Sequence, residues 1–215
     1  MEGSFLYSPF YPQSNGESAT PSFRILSFTN SAQINERGVG IETITFNWNY
    51  ANGTPVTQAI TPHVGSIPNA QRAFTLTGQN IAETVLFTLT ASDGSVSRTA
   101  TTQMRFLDPI FHGVLPSASP TEAEILSMAK RIALFNSFRT TLNIAGGHSC
   151  FASPMSNPIT DIRETVFGFS VLGTYDIIDN FMLTMADGLV VPYRVLVKSV
   201  PEHTLGMDMT LDIIF

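Results

Sequence analysis

Four histidines, one cysteine and a loose group of acids are the residues of this chain with chemistry to offer. His148 and Cys150 form an H-x-C pair, which on a strand would project to one face and supply two metal ligands; zinc needs three or four. His63, His112 and His203 lie far away in sequence, and no second cysteine completes a set. No metal residues are therefore expected, and Cys150 reads as a small buried hydrophobe. A serine nucleophile would need a G-x-S-x-G elbow, which the chain lacks. Ser149 adjoins His148, but neighbours on a strand face opposite ways. Asp161, Glu164, Asp176 and Asp179 are the acids that could pair for glycoside hydrolysis. They sit in a turn-rich stretch and read as turn and capping residues. Gly38-Val39-Gly40 and Gly146-Gly147 lack the Lys and Ser/Thr of a phosphate loop and open no helix. The expectation is a protein with no catalytic, cofactor-binding or metal residues, needing no cofactor, and not an enzyme.

The elements that would carry such residues are strands. In ETVLFTLTASDGSVSRTATTQMRF, Val85, Phe87 and Leu89 alternate with Leu86, Thr88 and Thr90, and Asp93-Gly94 marks a hairpin turn. ITFNWNY places Ile44, Phe46, Trp48 and Tyr50 on one face, which makes them core and not a sugar platform, Phe74 included. SFRILSFTN, 56–61 and 72–77 add further strands, with Pro62, Gly65 and Pro68 between the last two. Six or seven short strands with a turn every 8 to 12 residues predict a β-sandwich with Trp48 in its core.

Residues 107–120 read as a boundary, ended by Asp108-Pro109, bent at His112-Gly113 and stiffened by Pro116 and Pro120. Thr121 with Glu124 forms a capping box. Ile125, Met128, Ile132 and Phe135 follow at helical spacing, predicting a helix over 121–136. Strands resume at 140–144, 150–152, 180–185, 190–198 and 207–215. Asp187-Gly188 is a second hairpin turn, and Pro192 suggests an edge or a bulge. The apolar ending TLDIIF is expected to be paired, within the sheet or against a partner.

Charged residues make up only 13% of the 215 residues, against 43% hydrophobic ones. Ordinary proteins carry roughly 25% charge. Charge is depleted at the centres of interfaces, so a surface partly covered by neighbours is expected. The net charge of −6, with no basic run, argues against a nucleic-acid partner. MEGSFLYSPFYPQ has no basic n-region before an apolar core and is not read as a secretory signal. No apolar run approaches the roughly 20 residues of a bilayer span, so no membrane insertion is expected. Residues 1–21 interleave Phe5, Tyr7, Phe10 and Tyr11 with prolines, as an extended arm with aromatic anchors would. Those four aromatics and Phe215 are the candidate inter-subunit contacts.

Several segments together resemble virion structural proteins of tailed bacteriophages. The likeness runs from ITFNWNY and NGTPVTQ through SIPNAQRAFTLTG to FTLTASDGSVSRTATTQMRFLDPIFHGV, where a sandwich passes to a second domain at an aromatic-Gly junction. The junction here is Phe111-His112-Gly113, a departure at one position from two aromatics before Gly. TEAEI, HSCFASP and ADGLVVPYRVLVKS continue it, so that residues 40–215 are covered. The resemblance implies a mainly β fold: an immunoglobulin- or fibronectin-like sandwich at 22–108, then a mixed β domain with one helix at 109–215. It also implies a homo-oligomeric tail, baseplate or fibre component, made in the host cytoplasm and residing in the virion. Its partners would be other virion proteins and copies of itself. The alternative is a receptor- or carbohydrate-binding module of a tail fibre with a host-surface ligand, which would need an exposed aromatic and polar cleft around 145–180.

Overall fold

A computed structural model describes residues 22–132, 136–143, 146–201 and 208–215. Residues up to 107 form β1 (Arg24–Asn30), β2 (Ile34–Glu36), β3 (Ile41–Ala51), β4 (Thr57–Thr61), β5 (Gly65–Ser66), β6 (Ala73–Ile81), β7 (Val85–Ser92) and β8 (Ser97–Leu107). They make two sheets, β1-β3-β6 and β2-β8-β7-β4-β5. All contacts are antiparallel except β2 on β8, so the first extended segment crosses from one sheet to the other. This is the strand order of an immunoglobulin-like sandwich.

Alternation dictates what the sheets enclose. Ile44, Phe46 and Trp48 from β3 meet Ile60, Phe87, Leu89 and Met104 of the facing sheet in one cluster. Hydroxyls and amides take most of the outward positions, with Leu26 and Leu86 as exposed exceptions. The turn between β7 and β8 is longer than an Asp-Gly pair requires. Only Gly94 has positive φ (+97°), while Asp93 Oδ1 accepts hydrogen bonds from the N–H groups of Ser95 and Val96 at 2.9 and 2.8 Å. A local side-chain turn thus replaces the two-residue hairpin.

Gln58 is an amide buried inside the sandwich core. Its Oε1 accepts from Trp48 Nε1 (3.0 Å) and Tyr50 Oη (2.7 Å), and its Nε2 donates to the carbonyls of Pro68 (2.5 Å) and Gln71 (3.1 Å). Every hydrogen-bonding valence of the amide is filled, which is the condition for burying it without penalty.

The rest of the chain forms β9 (Ile110–Leu115), α1 (Glu122–Ser127), β10 (Ala129–Arg131), β11 (Ser137–Asn143), β12 (His148–Pro154), β13 (Asp161–Glu164), a 3-10 turn at Leu172–Thr174, β14 (Tyr175–Thr184), β15 (Val190–Lys198) and β16 (Asp208–Ile214). A five-stranded sheet, β10-β9-β12-β15-β14, packs on a three-stranded one, β11-β16-β13. Because strand residues alternate, the larger sheet feeds two cores. Phe151 and Leu196 point to the smaller sheet; Cys150, Ala152, Val195 and Val197 point the other way, toward Ile125 of α1.

Three readings of the sequence need correction. The helix spans six residues, not 121–136. Its capping box is present, but Met128 is already extended (φ −67°, ψ 164°), and residues 129–131 pair with β9. A helix this short has little stability of its own, and the free edge of β9 offers its successor a full set of backbone partners. Ile125 and Met128 still reach the core; Ile132 falls outside the helix, and Phe135 lies outside the described residues. The supposed linker around His112-Gly113 is strand β9. Gly113 serves there because a Cβ would sit 3.1 Å from Met128 Cγ. Finally, β15 is interior despite Pro192. Its pairing with β12 stops at Tyr193, so the missing N–H of Pro192 falls beyond the end of that neighbour.

The two units meet along the loop after β2. Arg37 Nε lies 2.6 Å from Asp108 Oδ1 without aligning on it, so the contact is one of charge proximity. Lys130 Nζ donates to Glu36 Oε1 at 2.6 Å, and Tyr193 Oη donates to the Pro109 carbonyl at 2.9 Å.

Replacing Gln58 with Leu would leave the Trp48 N–H unpartnered inside the core, and would take one bond each from the Tyr50 hydroxyl and the Pro68 and Gln71 carbonyls. We expect a loss of about 3 kcal/mol, read as a lower urea midpoint at unchanged slope.

Candidate docking site

Between β13 and the chain that returns beside it lies Thr165-Val166-Phe167-Gly168-Phe169, which projects from the three-stranded sheet. Val166 is 75% exposed, Phe167 74% and Phe169 70%. These are the most exposed large apolar side chains among the described residues, and they stand together. The two rings stack with centroids 6.3 Å apart and planes 26° from parallel.

The backbone beneath them is held firmly. Glu164 Oε1 accepts from the Val166 N–H (2.7 Å) and Oε2 from the Phe167 N–H (3.0 Å). The Glu164 carbonyl accepts from Gly168 N–H, and Glu164 N–H donates to the Phe169 carbonyl, both at 3.0 Å. Gly168 takes φ +72°, a conformation that a side chain resists. Thr165 ties the base to β16 through its hydroxyl, 3.1 Å from the Thr210 carbonyl. A tight, hydrogen-bonded turn therefore presents three apolar side chains to the outside. Covering one such side chain is worth about 1.5–3 kcal/mol, and little ordering cost remains in so fixed a loop.

The candidate residues from the sequence are placed as follows. His148 and Cys150 share a face of β12 and both are buried; His148 Nδ1 lies 2.6 Å from the Lys198 carbonyl. Burial, then the Glu124 charge, pushes the Cys150 thiol up to about 12, so it holds its proton and makes a poor nucleophile. His112 is shifted the other way, below the usual imidazole range, by burial and then by Arg131. Among the described residues no group of three His, Cys, Asp or Glu is arranged to hold a metal ion.

The four acids do not converge. Partial burial raises the Asp161 carboxyl, but hydrogen bonds from Ser170, Arg163 and the Ile162 N–H outweigh it and leave the group below its usual range. Asp179 is held low by Arg194, which grips both its oxygens at 2.6 and 3.1 Å. Glu164 organises the turn, and Asp176 is exposed on β14. Phe46 and Trp48 are buried, while Tyr50 and Phe74 pack half-buried against the same core. Phe215 stacks on Phe138 at 5.9 Å, half-buried within its own chain. Phe5, Tyr7, Phe10, Tyr11 and His203 lie outside the described residues.

Reading the sequence did not find Val166, Phe167 and Phe169. The signal was present in T-V-F-G-F-S, an apolar cluster centred on a glycine that fits neither a strand nor a helix period. Comparison with family models, with curated proteins and with solved structures yields no match.

Removing the carboxylate by Glu164→Ala should free the Val166 and Phe167 amides. Hydrogen exchange at those two sites is expected to rise at least tenfold, with β12 and β15 amides unchanged. Uniform protection in the variant would show that the carboxylate does not hold the turn.

Proposed function

We propose that the chain is a non-enzymatic structural component of a bacteriophage virion, in the tail, baseplate or fibre assembly, and acts by protein–protein docking. The observation that carries the reading is the rigid turn with Val166, Phe167 and Phe169 held outward. Exposed apolar clusters of this kind mark contact surfaces, and aromatic side chains dominate the energetics of such contacts. The low charge of the chain supports the same reading, since a neutral polar skin is cheap to desolvate against a neighbour. The virion assignment itself comes from the resemblance of residues 40–215.

Mass spectrometry of gradient-purified particles whose genome encodes the chain should detect it at a fixed copy number per particle. A Phe167→Ser/Phe169→Ser variant that folds normally should be incorporated less. Absence of the wild-type chain from particles would overturn the virion assignment.

One observation favours a second reading. Phe167 and Phe169 are exposed, near-parallel and flanked by Asp161, Glu164 and Ser170, which is the composition of a sugar-stacking platform within 145–180. On this reading the chain is a receptor- or carbohydrate-binding module of a fibre, and a glycan array should give ligands that the double serine variant loses. An array without signal from folded protein would remove it.

A further inference from the structure

The charges of the chain are unevenly spread. Residues 22–107 carry five basic and four acidic side chains, and residues 108–215 carry six and eleven. The ends of the molecule sharpen the contrast. At the end of the sandwich remote from the second unit, register brings Arg24 opposite Ala51 and Ser92 opposite Ser97. Arg98 Nε donates to the Phe23 carbonyl there, and Arg72 lies over the Tyr50 ring at 4.7 Å. None of these three arginines has a carboxylate partner among the described residues. Val56, 53% exposed, lies beside Gly94 at this same end.

The opposite end of the molecule carries the reverse charge. Asp208 begins β16 opposite Asn143, and Asp176 lies beside Tyr175, which pairs with Lys198 at the far end of β15. Neither acid has a basic partner among the described residues, whereas Asp161, Asp179 and Asp212 are all paired. The aromatic turn leans toward this end, since Thr165 N–H donates to the Thr210 carbonyl, two residues from Asp208. Asp93 in the β7–β8 turn offsets one of the three arginines, and Lys198 over the Tyr175 ring offsets one of the acids at the far end, where Glu164 under the turn adds another. One end of the molecule is thus net basic with an apolar residue, and the other net acidic with an apolar knob.

We propose that copies of this chain associate head to tail, the acidic end bearing Val166, Phe167 and Phe169 docking on the basic sandwich end of the next copy. The proposal rests on the docking reading above and names its partner as a second copy. Opposite charges favour this pairing and oppose the two like-end pairings, which set basic against basic or acidic against acidic. Two different surfaces meet, so the contact is heterologous and propagates into a ring or a filament instead of stopping at a two-fold dimer.

Sedimentation velocity over a rising concentration series, at low and high salt, tests this. The wild type should form oligomers beyond a dimer, weakened by salt as exposed charges are screened. Arg24→Glu and Asp208→Lys should each weaken association roughly tenfold, and the two combined in one chain should restore it. Phe167→Ser should weaken it without rescue by either. A closed dimer, a monomer at every concentration, or a charge swap that fails to restore association would overturn the proposal. A chain that is monomeric alone yet present in particles would sink only this inference; one that obeys the swap yet is absent from particles would sink only the virion assignment.

Discussion

A chain with so few charges has to satisfy its buried and half-buried polar groups with neutral partners, and the architecture depends on its doing so. Gln58 shows this best. One amide joins two aromatic side chains of the core to the loop that carries Arg72, so the inside of the sandwich and its free end share a single fixed point. Ser153 does the same in the second unit, its hydroxyl accepting from the Ile159 N–H at 2.9 Å where the chain leaves one sheet for the other. Threonine pairs bridge neighbouring strands at 3.2 Å (Thr45–Thr75) and 3.0 Å (Thr141–Thr210). Such bonds are worth about 1 kcal/mol each. Their weight lies in what each would cost if left unmade.

Apart from Arg163 with Asp161 inside β13, the ion pairs among the described residues join two different segments. Arg194 with Asp179 spans β15 and β14, and Arg139 with Asp212 spans β11 and β16. The edge strand β14 is also blunted. Its register shifts between Ile178 and Phe181, and Asn180 takes φ +58°, so the strand bends and offers no long flat ladder. At its far end Glu122 of α1 accepts from the Thr184 N–H at 2.6 Å. The short helix is thus held by the sheet on which it lies and closes that sheet's open corner.

This management of the edge bears on function. Main-chain pairing at β14 is discouraged, while the turn after β13 holds apolar side chains in the open. In the docking role proposed above, a surface closed to strand addition but open to side-chain contact would admit partners by shape and so select among them. In the proposed head-to-tail association, the uneven distribution of charge would add direction to that selection, because unlike ends attract.

What could be read from the sequence was whatever local chemistry imposes. Period-two alternation fixed the faces of β3 and β7, the capping box fixed where α1 begins, and the apolar ending was correctly expected to be paired, as β16 between β11 and β13. Each signal works over a few residues and survives any tertiary setting. Where α1 ends was decided otherwise, because the backbone of β9 outcompeted further helical turns, and that partner is distant in the chain. Pro192 was tolerated inside a sheet because β12 stops one residue short of it, a matter of register between strands. Phe167 and Phe169 could have been core or surface by composition alone. The grip of Glu164 on the turn and the way the sheets close beneath it decided for the surface, and only three-dimensional packing could do so.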